Sequence, residues 1–258
     1  MYADAVAKIT ESIFPIFYTQ WDGDRCNVGV RGTGFFLDDK GLFLTAEHVI
    51  ASAPAGSTMY YYGKIPDEVC DPAIEIEHLA SDPAHDLYLG RVCREDLKPV
   101  ELSDEPVRPG DSVCLAGYPM PVLSISADSG LVGSIRRYWT PTFAIDTTRV
   151  VIGDRIYDGY IVQHTCLVGM SGGPVFDTRG KVRGMAAATV SRSVPDPSGN
   201  LTALPNGVVI DLEHIRGFLE AAGARLGARD HAQKRSAGPG QDRSGVHPWV
   251  AAAGTSAA

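Results

Sequence analysis

The chain has 258 residues, of which 44% are hydrophobic and 21% are charged, and its formal net charge is −8. This length and composition suit one large or two small domains with a proper hydrophobic core. The acidic balance argues against a general nucleic-acid-binding role, because neutralising phosphates needs a basic face. We also expect no membrane association and no secretion, since no apolar run approaches a membrane span and residues 1–8 lack a signal-peptide pattern.

Cysteine and histidine spacing indicates neither disulfides nor a metal site. The five cysteines are odd in number, widely spaced and without a Cys-x-x-Cys pair: Cys26, Cys70, Cys93, Cys114 and Cys166. They are predicted to be free thiols, which favours a reducing compartment and hence a cytoplasmic location. No histidine pair stands at a spacing typical of metal ligands, so we expect no metal and no cofactor.

The predicted elements are almost all strands. Val6, Ile9 and Ile13 predict a short amphipathic helix at the start. Short β-rich runs separated by Gly and Pro then recur, a pattern typical of an all-β barrel or sandwich. The runs are 13–18, 28–37, 42–45, 58–62, 73–78, 87–92, 112–115, 130–136, 142–145, 159–163, 174–177, 182–189 and 208–211. Residues 211–226 predict a helix capped by Asp211, and residues 227–258 are predicted to be disordered.

Three motifs in this series carry residues suited to nucleophilic catalysis. The strand at 42–45 leads into Thr-Ala-Glu-His, which predicts His48 at a strand end. Asp86 stands at the mouth of the strand 87–92. Ser171 lies in a Gly-x-Ser-Gly-Gly-Pro run, where glycines leave space beside the hydroxyl and expose backbone N–H groups that can receive an oxyanion. The order His, Asp, Ser is that of the chymotrypsin barrels.

Together with Pro-Gly-Asp-Ser-Val at 109–113 and Gly-Leu-Val-Gly-Ser-Ile at 130–135, these motifs resemble the trypsin-like serine proteases over about residues 13–219. Within that family the chain is most similar to HtrA-type and other bacterial trypsin-like peptidase domains. The resemblance implies two six-stranded antiparallel β-barrels followed by a C-terminal helix. Residues 1–108 would form the first barrel, with His48 and Asp86, and residues 109–226 the second barrel and helix, with Ser171. Residues 227–258 are too few for the peptide-binding module of HtrA relatives.

The resemblance also implies a serine endopeptidase that works through an acyl-enzyme. Ser171 would attack the peptide carbonyl, His48 would accept its proton, and Asp86 would hold the imidazole. The N–H groups of Gly169 and Ser171 would bind the oxyanion. Met170 replaces the aspartate that pairs with a new N-terminus in digestive relatives, so activity is expected without N-terminal cleavage.

The expected partners of this site are a protein or peptide substrate and a separate regulatory protein. The substrate pocket is expected to have uncharged walls that prefer a small-to-medium apolar side chain. Its predicted residues are Thr165, Ala187, Ala188 and Thr189.

Two other functions stay open. The motif around Ser171 also satisfies the Gly-x-Ser-x-Gly of α/β-hydrolase esterases, with Asp196 and His214 as partners, but that fold needs a helix where 174–176 predicts a strand. The second alternative is a catalytically silent module that holds an extended peptide by β-augmentation. Four other histidines are interpreted as structural or solvated: His78, His85, His164 and His214. Of these, His85 is the one that could compete with His48 for the Asp86 carboxylate, because it is adjacent to Asp86.

Overall fold

The computed structural model describes residues 2–22, 25–51, 58–61, 74–119, 125–126, 130–131, 137–195, 198 and 201–223. The chain up to Ala222 forms one compact unit. The predicted tail at 227–258 lies outside the described residues, as does the end of the predicted C-terminal helix. The division into domains at residue 108 stays a prediction.

The N-terminal half forms a closed barrel of six antiparallel strands in the order β1-β2-β3-β6-β5-β4. Its elements are the helix α1 (Ala3–Ile9), a 3-10 turn (Thr10–Ser12), β1 (Ile13–Asp22), β2 (Arg25–Phe36), β3 (Leu42–Ala46), the helix α2 (Glu47–Ala51), β4 (Thr58–Tyr61), β5 (Ile74–Asp82) and β6 (Leu87–Val92). The barrel interior is aromatic: Phe14 stacks on Phe36 with ring centroids 4.4 Å apart and meets Phe43 edge-on at 5.2 Å. Such pairs add to the stabilisation from burying apolar area.

The C-terminal half forms a seven-stranded sheet in the order β13-β8-β11-β12-β15-β14-β7, and β13 also pairs with β14. This extra pairing closes six strands into a ring, and the short β7 is added to β14 in parallel. The elements are β7 (Glu101–Leu102), β8 (Ser112–Gly117), β9 (Ile125–Ser126), β10 (Gly130–Leu131), β11 (Tyr138–Ile152), β12 (Arg155–Val162), β13 (Pro174–Phe176), β14 (Lys181–Pro195) and β15 (Leu201–Asp211). Among the strands that the structure describes, β9 and β10 pair only with each other.

A helix over residues 212–223 (α3) follows β15. The carboxylate of Asp211 accepts the His214 N–H at 3.0 Å, the predicted N-cap contact. The all-β fold with two barrels and a C-terminal helix is thereby confirmed. It excludes the α/β-hydrolase alternative, because Ser171 is followed by the strand β13 and, apart from the short β7, the strands of both main sheets pair antiparallel. Within the described residues, no helix is both long and apolar enough to cross a membrane.

The hairpin of β11 and β12 is much longer than the sequence predicted. The apolar pattern of the sequence is interrupted after Ile145 by polar and charged residues, yet pairing continues to Ile152 opposite Arg155. Cross-strand contacts support this extension: Arg149 lies opposite Asp158, and its Nε donates to Oδ1 of that aspartate at 2.5 Å. The first residues of β12 consequently reach the N-terminal barrel, where the Ile156 N–H donates to the Ala84 carbonyl at 2.8 Å.

Candidate active site

His48 lies in the first turn of α2, just after β3. The backbone leaves the strand at Ala46, and the Glu47 N–H donates to the carbonyl oxygen of Asp86 at 3.1 Å. The His48 N–H donates to Oδ1 of the same aspartate at 2.9 Å. The sequence predicted His48 at the end of a strand, but it lies in a helix. The first N–H groups of a helix have no acceptor within the helix, and here Asp86 accepts them.

Asp86 is completely buried and stands immediately before β6. Its φ is 58°, a left-handed conformation that aspartate tolerates better than most residues. Besides accepting the backbone N–H groups of Glu47 and His48, Asp86 accepts a hydrogen bond at Oδ2 from Nδ1 of His48, at 2.7 Å. A carboxylate bound in this way keeps the imidazole proton on Nδ1, which leaves the lone pair on Nε2.

Two side chains of β12 also reach Asp86, and sequence reasoning missed both. The hydroxyl of Tyr157 donates to Oδ2 at 3.2 Å, and Nε of Arg155 lies 3.6 Å from Oδ1. Arg155 also donates from Nη2 to Oε2 of Glu47 at 2.7 Å. The buried aspartate therefore has a donor and a cation from the second sheet beside its contacts to His48.

Both β12 side chains keep the protons that these contacts need. The pKa of Tyr157 is raised above its ordinary value, first by burial and then by the negative charge of Asp86, so its hydroxyl stays protonated and donates. Burial alone lowers the pKa of Arg155, but the charge of Asp86 and the contact to Glu47 outweigh it and raise the pKa overall. No pattern in the sequence identifies this pair, which lies about 70 residues from Asp86 and in another sheet.

Ser171 follows one tight turn and is the second residue of another. In the first, the Met170 N–H donates to the Leu167 carbonyl at 2.9 Å, and Gly169 in third position has a φ of 93°. In the second, the Gly173 N–H donates to the Met170 carbonyl at 2.9 Å, and Gly172 has a φ of 82°. A positive φ in third position is the conformation that glycine adopts most readily, which explains the glycines flanking the serine.

This loop packs directly on the strands that lead to His48. The Thr33 N–H donates to the carbonyl of Ser171 at 2.9 Å, and the Thr33 hydroxyl donates to the carbonyl of Gly169 at 2.8 Å. A Cβ on Gly172 would lie 2.1 Å from Oγ1 of Thr45 and 2.8 Å from the Ala46 nitrogen. Only glycine fits between the loop and the end of β3. The fold thus brings Ser171 close to the residues that precede His48.

The Ser171 hydroxyl donates to the carbonyl of Ala187 at 3.0 Å. This carbonyl is available because β14 has a bulge between Ala186 and Ala188, which takes Ala187 out of register with β15. In the described part of the chain, the N–H groups of Gly169 and Ser171 donate to no protein acceptor. They are therefore able to bind an oxygen of a ligand.

The predicted pocket residues lie on two neighbouring segments. The Thr189 hydroxyl donates to the carbonyl of Cys166 at 2.8 Å, which ties β14 to the segment that contains Thr165. Ala187 is buried, Ala188 and Thr165 are partly buried, and Thr189 is exposed. None of these four side chains carries a charge.

Cys166 is a further residue at this place that sequence reasoning did not select. Burial raises the pKa of its thiol to about 12, and a contact with the Ser171 side chain opposes this shift in part. The thiol thus lies beside the hydroxyl of Ser171 and is protonated at neutral pH. Like most buried free thiols, it acts as a small neutral side chain.

His85, the alternative ring partner for Asp86, is bound to another carboxylate, that of Asp82. Nδ1 of His85 contacts Oδ2 of Asp82 at 2.8 Å, and the His85 ring lies 5.9 Å from the ring of His214. His214 contacts Asp211 at 2.9 Å and Asp158 at 3.2 Å. These contacts direct His85 away from Asp86 and leave His48 as the ring bound to that carboxylate.

The family model of the trypsin-like peptidase domain matches residues 32–185, more than half of the chain. The chain belongs to this family, which confirms the resemblance inferred from its three motifs. The matched range contains His48, Asp86 and Ser171, together with Arg155 and Tyr157.

Individual relatives agree with the family. A probable periplasmic serine endoprotease of DegP-like type from Rickettsia conorii is 31% identical over 164 residues, covering 62% of this chain. A protein of the same description from Bartonella henselae is 28% identical over 165 residues and 63% of this chain. Each match spans only 28% of the relative. The active form of the Rv3671c protease from M. tuberculosis superimposes with a TM-score of 0.60 at 21% identity, covering 85% of this chain and 84% of that one, which supports the fold.

The predicted cytoplasmic location is wrong, since both curated relatives are described as periplasmic. The prediction rested on free thiols. Of the cysteines whose side chains the structure describes, Cys93, Cys114 and Cys166 are indeed free. Burial raises the pKa of Cys114 and Cys166 to about 12, however, and a protonated thiol resists oxidation. Free cysteines of this kind therefore do not require a reducing compartment.

Proposed function

We propose that the chain is a serine endopeptidase whose reaction is carried by His48, Asp86 and Ser171. The observation that supports this most is the pair of contacts from one buried carboxylate to both the backbone and Nδ1 of His48. This geometry fixes the ring orientation and the tautomer that a general base requires. A merely structural histidine does not need both.

In the proposed reaction, the Ser171 hydroxyl rotates from the Ala187 carbonyl towards Nε2 of His48. Its oxygen attacks the peptide carbonyl carbon while His48 takes the proton. The resulting imidazolium returns this proton to the leaving amine as the C–N bond breaks, which leaves an ester on Ser171. Water then repeats the sequence and releases the acid. Asp86 stays ionised and offsets the positive charge that develops on His48.

The N–H groups of Gly169 and Ser171 are proposed to bind the oxyanion. The positive φ of Gly169 and the lack of a protein acceptor for either group within the described residues support this role. One such donor contributes about 3 kcal/mol to lowering the barrier. The loop is ordered by Thr33 and by the buried side chain of Met170, which supports the proposal that a cut N-terminus is not needed.

The pocket is proposed to accept a small-to-medium apolar side chain. Thr165, Cys166 and Ala187 offer no carboxylate that could pair with a buried lysine or arginine of a substrate. Because both curated relatives are described as periplasmic endoproteases, we further propose that this chain acts on proteins in the periplasm. Control by a separate regulatory protein remains a prediction.

A fluorophosphonate probe tests the nucleophile. We expect labelling of the wild-type protein and its complete loss in Ser171→Ala, with peptide hydrolysis lowered by several powers of ten in both Ser171→Ala and His48→Ala. His85→Ala serves as the matched control, because its ring contacts Asp82 and not Asp86. Unlabelled wild-type protein that still binds extended peptides would instead support the silent binding module.

A further inference from the structure

We infer that Arg155 and Tyr157 of β12 are positioning residues for the proposed base, acting on His48 through the Asp86 carboxylate and through Glu47. This inference rests on the proposed function and adds two residues of the C-terminal sheet to a histidine and an aspartate of the N-terminal barrel. The geometry consists of the Tyr157 hydroxyl on Oδ2 and the Arg155 guanidinium between Oδ1 of Asp86 and Oε2 of Glu47.

Tyr157 supplies a hydrogen bond that a buried carboxylate requires. Asp86 is 0% exposed, so bulk solvent does not reach its oxygens, and a buried acceptor without its donor is strongly unfavourable. Oδ2 accepts hydrogen bonds from both the imidazole and the Tyr157 hydroxyl. The second donor fixes the plane of the carboxylate and thereby the direction in which the imidazole points.

Arg155 supplies charge and links two elements. Glu47 and His48 are neighbours in α2, whereas Asp86 precedes β6, and the guanidinium contacts the acids of both segments. Its side chain is 28% exposed, and that of Glu47 is 13% exposed, so solvent screens their contact only in part. The cation also limits how strongly the buried carboxylate attracts a second positive charge on His48.

The groups around this carboxylate set the sign of the expected pH effect. In the described residues, His48 from α2 and Arg155 and Tyr157 from β12 contact it directly, and Glu47 from α2 is linked to it through Arg155. Removing the cation leaves the carboxylate less compensated, so it attracts the positive charge on the His48 ring more strongly. The acidic limb of kcat/KM then moves to higher pH, because only the unprotonated imidazole is a base.

The first experiment compares Tyr157→Phe with Tyr160→Phe in peptide hydrolysis. Tyr160 is on the same strand and fully buried, but its hydroxyl has no hydrogen-bond partner among the described residues. We expect kcat to fall about tenfold in Tyr157→Phe with little change in KM, as for the loss of a hydrogen bond to a charged group. We expect Tyr160→Phe to keep the wild-type kcat. Equal kcat in wild type and Tyr157→Phe would overturn the role of Tyr157.

The second experiment compares Arg155→Gln, Arg155→Lys and Arg149→Gln across the pH range. Arg149 is the matched control, since it lies on the same hairpin and pairs with Asp158. The acidic limb should move up by about one pH unit in Arg155→Gln, which is the effect of a cation within a few ångströms. It should stay near its wild-type position in Arg155→Lys and Arg149→Gln, because the charge beside Asp86 is retained in both.

The controls separate this inference from the proposed function. An inactive wild-type protein contradicts the proposed function itself, and so does probe labelling that persists in Ser171→Ala. An active wild-type protein whose acidic limb is the same in Arg155→Gln contradicts only the role of Arg155. A purely structural role would lower the melting temperature and the amount of active enzyme, but it would leave the acidic limb where it is.

Discussion

At the scale of single residues, the nucleophile loop depends on close backbone packing as much as on the serine. Thr33 is buried and links three segments: its hydroxyl accepts the Tyr118 N–H at 2.9 Å and donates to the Gly169 carbonyl at 2.8 Å. The hydroxyl of Thr45 donates in turn to the carbonyl of Thr33 at 2.7 Å. These contacts leave no volume for a side chain on the neighbouring Gly172.

Gly172→Ala should therefore destabilise the protein more than Gly110→Ala. Both glycines have a positive φ, 82° and 92°, so both alanines carry the same backbone strain of about 1 kcal/mol. A Cβ on Gly110 meets nothing within 4 Å, whereas one on Gly172 would lie 2.1 Å from Oγ1 of Thr45. Overpacking of this kind costs roughly 1–3 kcal/mol more. Urea unfolding of the two variants measures the difference, and equal midpoints would contradict the packing described for this loop.

At the scale of elements, one aspartate in each case decides where the helices α2 and α3 begin. Asp86 accepts the first N–H groups of α2 and thereby turns the chain into a helix just before His48. Asp211 does the same for α3 through its own carboxylate. The contact between Asp211 and His214 was predictable from the sequence, because these residues are three apart. The contact between Asp86 and His48 was not, because it joins residues 38 apart.

Asp211→Ala is expected to lower the free energy of unfolding by about 1 kcal/mol, the usual effect of losing an N-cap. Asp211→Asn is the control, since an amide oxygen accepts the same N–H group. Thermal or urea unfolding of both variants tests the cap. A loss of equal size in the two variants would instead assign the effect to the contact between Asp211 and the His214 ring.

At the scale of the whole molecule, burial rather than compartment accounts for two of the three free thiols that the structure describes, Cys114 and Cys166. Cys114 is fully buried and Cys166 is 8% exposed, whereas Cys93 is exposed. With a pKa raised to about 12 by burial, Cys114 and Cys166 stay almost entirely protonated at pH 8. Only the thiolate reacts with alkylating or oxidising reagents at an appreciable rate.

Iodoacetamide at pH 8 should consequently label Cys93 in the native protein, while Cys114 and Cys166 react only after unfolding in urea. Peptide mapping by mass spectrometry reads each site separately, and Cys93→Ser removes the native signal at that position as a control. Fast labelling of Cys166 in the native protein would mean that the thiol beside Ser171 is open to solvent, contrary to its burial.

The order of His48, Asp86 and Ser171, the alternating strands and the glycines of the serine loop were all readable from the sequence, because each is a local pattern with a local physical cause. The same holds for the cap at Asp211. The family that these patterns predicted is confirmed, and the proposed site is built from them.

Only the tertiary structure decided which residues surround these patterns. Arg155 and Tyr157 follow a stretch of mixed polar and apolar residues with no motif, and they reach Asp86 because β11 and β12 extend beyond the apolar pattern. Thr33 and Cys166 gained their positions in the same way, through sheet register and barrel closure. A contact between residues far apart in the chain depends on how the sheets pack, and that packing is the sum of many weak interactions that no single stretch of sequence contains.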